Sequence, residues 1–274
     1  MALPASTTGL HRWWHSRFGA AFARELVLVL ALLLLYKYGR TLVRGESATA
    51  VHHARELIRF ERSLSIFTEA HLQEAVLGAV GTGVEWFLNA YYLFAHVIVT
   101  AVAFIWLYAR HPREYVRFRR VMIVMTLAGL ALHLLYPLAP PRMFPDLGFV
   151  DIGRTVGPSS YGHGSAYSGF ANQFAAMPSL HFGWALAVAW AAILASRHHI
   201  GRLAAFHPML TLAAIVLTAN HYWLDAVVAA MLFGAALAFD RWRVARIRGR
   251  APAGRERRRE PAPDRAFPVS PTRT

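Results

Sequence analysis

Cysteine is absent from the 274 residues. That excludes disulfides, thiolate metal sites and a cysteine nucleophile, and it leaves the redox compartment unread. Charge is scarce too. Asp, Glu, Lys and Arg make up 16% of the chain, against about 25% in an ordinary soluble domain. Hydrophobic residues make up 56%, more than so little polar material can coat, and the composition predicts an integral membrane protein. Acids are the scarcer charge, 15 against 29 Lys and Arg, a net +14. Such a surplus raises nucleic acid or anionic lipid as a partner. It is uneven, however. Arg241 to Thr274 holds eleven arginines and three acids. This Arg/Pro-rich stretch lacks apolar periodicity and is expected to be disordered. The chain thus reads as a membrane-embedded part, residues 1–242, and a basic cytoplasmic tail, residues 243–274. An arginine-rich juxtamembrane tail is expected to meet anionic lipid headgroups rather than a specific nucleic acid.

A membrane helix needs about 20 mostly apolar residues. Spans are predicted near Ala20–Tyr38, Val84–Tyr108, Val121–Leu138, Leu180–Ala195, Leu203–Ala219 and Tyr222–Phe239. The last two leave room only for a tight hairpin. Residues 46–80 mix charges with Leu57, Ile58, Leu64, Ile66, Phe67 and Leu72, as an amphipathic helix at the interface does. The expected fold is all-α: a polytopic six-transmembrane-helix bundle with one interfacial amphipathic helix. Ala48-Thr49-Ala50 resembles a signal-peptide cleavage site, but the stretch before it is too long and too charged for that reading. Residues 137–180, rich in Pro, Gly and Ser, read as a long functional loop.

Lys/Arg bias sets direction. Arg12, Arg17 and Arg24, the loop with Arg110, Arg113, Arg117, Arg119 and Arg120, and the tail are basic, whereas the 137–180 loop has only Arg142 and Arg154. The termini are therefore expected in the cytoplasm, and the 137–180 loop and the last hairpin outside, in what is expected to be the plasma membrane. Lys37, Arg40, Arg44, Arg55, Arg59 and Arg62 would also lie outside, nearly balanced by Glu46, Glu56, Glu61, Glu69 and Glu74.

Ionisable residues in or at the ends of spans mark function by default. Here they are Glu85, His96, His133, Arg142, His181, His221 and Asp225, and the topology brings them to one membrane face. In the run Asn220-His221-Tyr222-Trp223-Leu224-Asp225, His221 and Asp225 are four apart and share a helix face. A carboxylate there can fix the imidazole's tautomer and stabilise its cation; a helix-end ion pair would look the same. Pro178-Ser179-Leu180-His181 reads as a capped helix start, a ready anion site with His181 in the first turn. Pro140-Pro141-Arg142 delivers a guanidinium on a stiff arm, suited to a phosphate or to lipid headgroups. Asn89, Tyr92 and His96 share a helical face and are candidate pocket residues, with Asn220 and Tyr222 beside the dyad.

These three elements, in this order, resemble the type 2 phosphatidic acid phosphatase superfamily, and more narrowly its inositol phosphorylceramide synthase-like (inositolphosphotransferase) branch. Pro178-Ser179-Leu180-His181 is similar to the superfamily's Pro-Ser-Gly-His motif, with Leu180 in place of glycine. His221 and Asp225 match the end of its His-x-x-x-Asp motif. The superfamily's arginine six before that histidine is Ile215 here, its serine is Ala214, and the lysine seven before Arg142 is Leu135. The resemblance implies a lipid phosphotransferase that needs no cofactor and no metal. It implies His221 as nucleophile through a phosphohistidine, Asp225 as its partner, His181 as acid and then base, and Arg142 with the Ser179 hydroxyl or amide as phosphate contacts. With water as acceptor the same machinery is a lipid phosphate phosphatase. A membrane electron carrier is the remote alternative, with His96, His133, His181 and His221 as axial ligands to haem.

Overall fold

The computed structural model describes residues 47–158, 174–196 and 203–249, with the single positions Glu25, Val27, Leu34 and Gly201. The predicted span near Ala20–Tyr38 and most of the tail lie outside the described residues. What is described is helical, with no strand among the described residues. The elements are α1 (Ser47–Ser63), α2 (Glu69–Ala79), α3 (Thr82–Ala90), a π-helical turn at Tyr91–Ala95, α4 (His96–Arg110), α5 (Pro112–Leu135), the short α6 (Ile152–Thr155), α7 (Leu180–Ala195), α8 (Phe206–Leu217) and α9 (Trp223–Gly249).

Three stretches among the described residues are long and apolar enough to cross a membrane: Thr82–Arg110, Pro112–Leu135 and Trp223–Ile247. Leu180–Ala195 and Phe206–Leu217 are apolar but shorter. The six expected spans therefore reduce here to three of full length and two short ones. Large apolar side chains such as Val97, Ile98, Val102, Ile105, Val227 and Met231 stand exposed on the long helices. That is the surface of a protein whose solvent is lipid.

Boundaries moved for local reasons. α5 begins at Pro112 rather than near Val121, because proline is preset for the first helical position and the arginines that follow are good helix formers. It stops at Leu135, just before Pro137. α9 runs on through Arg243–Gly249, residues that composition alone assigned to the tail. The 137–180 loop is not structureless. It contains 3₁₀ turns at Pro141–Met143 and Pro145–Leu147 as well as α6.

α7 lies at the centre, against α4, α5 and α8. Its buried face includes many small residues, among them Gly183, Ala187 and Ala191, which lets neighbouring backbones approach closely. A Cβ on Gly129 of α5 would fall 2.7 Å from Leu180 Cδ2, so a larger residue there would force the Leu180 side chain to move where α5 meets the start of α7. Ala103 and Leu107 of α4, Phe118, Val121, Met122 and Met125 of α5, and Leu180, Trp184 and Val188 of α7 form this core. In the first half of α5, Arg117 and Arg120 pair with the buried Asp240 of α9 at 3.3 and 2.6 Å.

The predicted amphipathic stretch is two helices. α1 buries Ala50, Ala54, Leu57, Ile58 and Glu61, one face at helical spacing. That face packs in a second core with Leu138, Ala139, Phe144, Phe149, Ala176, Ala219 and Tyr222. α1 thus lies beneath the loops that carry the candidate motifs. His53 of α1 hydrogen-bonds through Nδ1 with the Pro137 carbonyl at 2.9 Å, and its ring stacks on Tyr136 at 4.2 Å.

Candidate active site

Three loop segments, distant in sequence, are stitched together by their main chains. The Arg142 N–H donates to the Ala219 carbonyl at 2.8 Å, and the Ser179 N–H donates to the Asp225 carbonyl at 3.1 Å. The Leu138 N–H donates to the Phe174 carbonyl and the Ala176 N–H to the Leu138 carbonyl. The segment after α5, the start of α7 and the turn before α9 therefore form one unit. His133 Nε2 hydrogen-bonds the Pro178 carbonyl at 3.1 Å, from a nearly fully buried ring. That makes His133 a brace for the Pro178 turn rather than a group facing a ligand.

The turn before α9 has a demanding shape. Ala219 has φ +53, a left-handed conformation that L-residues adopt at some cost. It folds the chain so that the N–H groups of Asn220 and His221 both donate to the Ile215 carbonyl, at 3.0 and 3.1 Å. Ile215 itself is fully buried and apolar.

His221 is held through Nδ1, 2.8 Å from the Ala176 carbonyl and 3.2 Å from Asp225 Oδ2. Both neighbours are acceptors, so Nδ1 carries the hydrogen and Nε2 keeps its lone pair. Asp225 is fully buried and also accepts from the Tyr222 N–H at 2.9 Å. The pairing expected from the four-residue spacing is present, but not on a shared helix face: His221 lies in the turn before α9 and Asp225 in its first turn, and a main-chain carbonyl that the sequence did not reveal is added.

The remaining predicted residues divide. His181 is half-buried, its ring centroid 5.9 Å from that of His221. Tyr92 lies 4.5 Å from His181 and 6.3 Å from His221, and His96 lies 4.0 Å from His181. Tyr92 and His96 are four residues apart across the π-helical turn at Tyr91–Ala95; such bulges recur at functional sites. Arg142 donates through Nη1 to Asn220 Oδ1. The Asn220 amide nitrogen donates to Thr218 Oγ1 at 2.7 Å, so Asn220 aims the guanidinium from a fixed position.

Three expected site residues are turned elsewhere. Tyr222 is fully buried in the second core, its hydroxyl donating to the Ala139 carbonyl at 3.2 Å, because α1 closes over it. Asn89 donates to the Pro158 carbonyl at 2.6 Å and anchors the loop before residue 159. Ser179 is fully buried. Its N–H is taken by Asp225 and its hydroxyl accepts from the Phe182 N–H at 3.5 Å. It caps α7 as expected, but neither group is turned toward a ligand.

Residues that the sequence placed among surface charges belong to the site's foundation. Glu61 and Glu69 are fully buried. Glu69 Oε1 accepts from the Trp223 N–H and Glu61 Oε1 from the Leu224 N–H, both at 3.0 Å. Gln73 bonds the Val150 main chain in both directions and the Leu217 carbonyl. The readable signal for Glu61 was its register, since it continues the Ala50, Ala54, Leu57, Ile58 face. Glu69 and Gln73 gave no comparable signal.

Neither a curated protein nor a solved structure matches the chain. A family model described as the PAP2 superfamily matches residues 55–239. That interval takes in Arg142, His181, His221 and Asp225, and also the buried Glu61 and Glu69. Over two thirds of its length, and with its motif histidines gathered on one connected set of loops, the chain belongs to the PAP2 superfamily.

Proposed function

We propose that the chain is a membrane phosphotransferase acting on a lipid phosphate ester, of the inositol phosphorylceramide synthase-like kind. Membership of the superfamily supports lipid phosphatase or phosphotransferase chemistry in general. The observation that carries the reading further is the His221 geometry. An imidazole whose Nδ1–H is held by a carbonyl and a buried carboxylate presents Nε2 as a nucleophile.

In the first half-reaction Nε2 of His221 forms a bond to phosphorus as the ester P–O bond breaks. His181 gives the departing oxygen its proton. Asp225 balances the positive charge that develops on the imidazole. Arg142 and the first turn of α7 take the phosphoryl oxygens, the helix start being favourable for an anion. In the second half-reaction His181 takes a proton from the acceptor hydroxyl, whose oxygen displaces His221 from phosphorus. A lipid alcohol as acceptor gives transfer. Water gives the phosphatase, which is the second reading. Tyr92 and His96, packed on His181, line the side from which the acceptor arrives.

The proposed topology has six spans, with the two termini cytoplasmic and the site outside. It is supported by the site's position: α5 ends where α7 and α9 begin, so the motif loops share one end of these helices. The first span falls outside the described residues.

Purified protein given headgroup-labelled phosphatidylinositol and a ceramide is expected to form a labelled inositol phospholipid faster than it releases inositol phosphate. Release of the water-soluble phosphate with no labelled lipid product would exclude the transferase and leave the phosphatase. The Asn220→Ala protein separates aiming from chemistry. Loss of a hydrogen bond to a charged group, about 1.5–3 kcal/mol, is expected to lower kcat/KM about 10- to 100-fold. An unchanged kcat/KM would remove Arg142 from the phosphate site.

A further inference from the structure

The first turn of α9 is capped by three carboxylates on three successive N–H groups. Asp225 takes that of Tyr222, Glu69 that of Trp223 and Glu61 that of Leu224. Helix starts favour negative charge, but one or two charges, in solvent, suffice. Here all three groups are fully buried, and buried charges without counter-ions are costly. Glu61 Oε2 and Glu69 Oε2 have no donor among the described residues. Their Oε1 atoms cap adjacent N–H groups, so two neighbouring buried carboxyl groups are each left with an unpartnered oxygen. Two carboxylates have no hydrogen to offer one another, whereas a single proton on either would give the two orphaned oxygens a common partner.

We propose that Glu61 and Glu69 hold one proton between them, and that this acid–carboxylate pair positions the first turn of α9, and through it Asp225 and His221. The role rests on the catalytic reading of the His221–Asp225 dyad, whereas the shared proton does not. Both residues act through the backbone of Trp223 and Leu224, so they are positioning residues. With one proton, the pair contributes a single negative charge beside Asp225 and removes two unsatisfied buried oxygens. Without it, three carboxylates would crowd one helix end.

The electrostatic surroundings agree. Burial first, and the neighbouring Glu69 carboxylate second, push the Glu61 carboxyl up to about 9, with Asp225 adding in the same sense. The titratable groups facing the pair, from the start of α9 and the turn before it, are Asp225 and Tyr222. The Arg142 charge also acts on Tyr222. The linkage follows. Between the ordinary carboxyl value of 4.5 and about 9, the folded protein keeps this proton and the unfolded chain does not. Stability contributed by the pair is therefore fully present below the lower value and is lost progressively as pH rises toward the upper one.

Three readouts on the full-length protein in detergent test this. Infrared spectra at neutral pH should contain a buried carboxylic-acid carbonyl band that shifts in heavy water and is missing from both Glu61→Gln and Glu69→Gln. The melting temperature of Glu61→Gln, relative to the parent, should climb steadily between pH 5 and 9, since glutamine has no proton to lose. A purely structural contact would give a constant offset. Glutamine can still donate to Glu69 and accept from Leu224, so Glu61→Gln should have at least tenfold the kcat of Glu61→Ala at pH 7. Absence of the band in the parent, or its persistence in both glutamine variants, would overturn the shared proton. Glu61→Gln and Glu61→Ala equal in kcat would overturn the positioning role. Loss of all lipid turnover in the parent would instead sink the catalytic reading, with the infrared and melting results standing on their own.

Discussion

The His221→Ala protein should lose lipid phosphotransfer by about 10⁴-fold or more, the scale on which removing a nucleophile from a covalent mechanism falls. Among the described residues no second imidazole is positioned to replace it. His181 has its ring centroid 5.9 Å away, and the carbonyl and carboxylate that hold Nδ1 are built around residue 221 alone. The loss should appear in kcat, with substrate binding nearly kept, because Arg142 and the start of α7 remain. Folding will also suffer, since the Ala176 carbonyl loses its imidazole partner. An unsatisfied buried acceptor costs about 1–3 kcal/mol. The melting temperature must therefore be measured beside the rate, and a folded variant with full turnover would end the assignment.

The second large effect is expected from Asp225→Asn, a fall of about 10² to 10⁴-fold in kcat. An amide keeps the volume and can still accept from the Tyr222 N–H. It cannot balance the charge that grows on His221 as phosphorus is attacked. It can also offer its own N–H to Nδ1 and favour the tautomer in which Nε2 is protonated and inert. The Ala176 carbonyl, at 2.8 Å the closer partner of Nδ1, opposes that change. The loss should therefore be smaller than for His221→Ala, and an Asp225→Asn protein as active as the parent would show that the carboxylate only caps α9. Asp225 Oδ1 is buried without a donor among the described residues. Neutralising the side chain thus also removes an unbalanced buried charge, and stability should change little.

Much of this site is legible in the sequence. Spacing alone paired His221 with Asp225, put Ser179 at a helix cap and placed Arg142 on a proline-stiffened exit. Those features depend on local geometry, and local geometry is what periodicity and turn residues encode. What escaped was tertiary. No pattern shows that the Ala176 carbonyl meets His221, or that His133 braces the Pro178 turn, because both contacts join segments 45 residues apart. Tyr222 looked like a pocket residue because it adjoins His221, but the left-handed Ala219 and the α1 face beneath turn it into the core. In the sequence Glu61 and Glu69 read as charges balancing nearby arginines. Net composition cannot tell a surface acid from a buried cap, although Glu61's place on the apolar face of α1 was visible. Helix length was also misjudged. α8 is Phe206–Leu217, shorter than the apolar run that predicted it.

The most direct test is covalent. A lipid analogue labelled at phosphorus, with a low-pKa phenol as leaving group, needs no acid for the first half-reaction and should load the enzyme faster than it empties. Rapid quenching and peptide mapping should then find the label on His221, stable in base and labile in acid, and absent from His221→Ala. Label on another side chain, or equal labelling of the His221→Ala protein, would contradict the account.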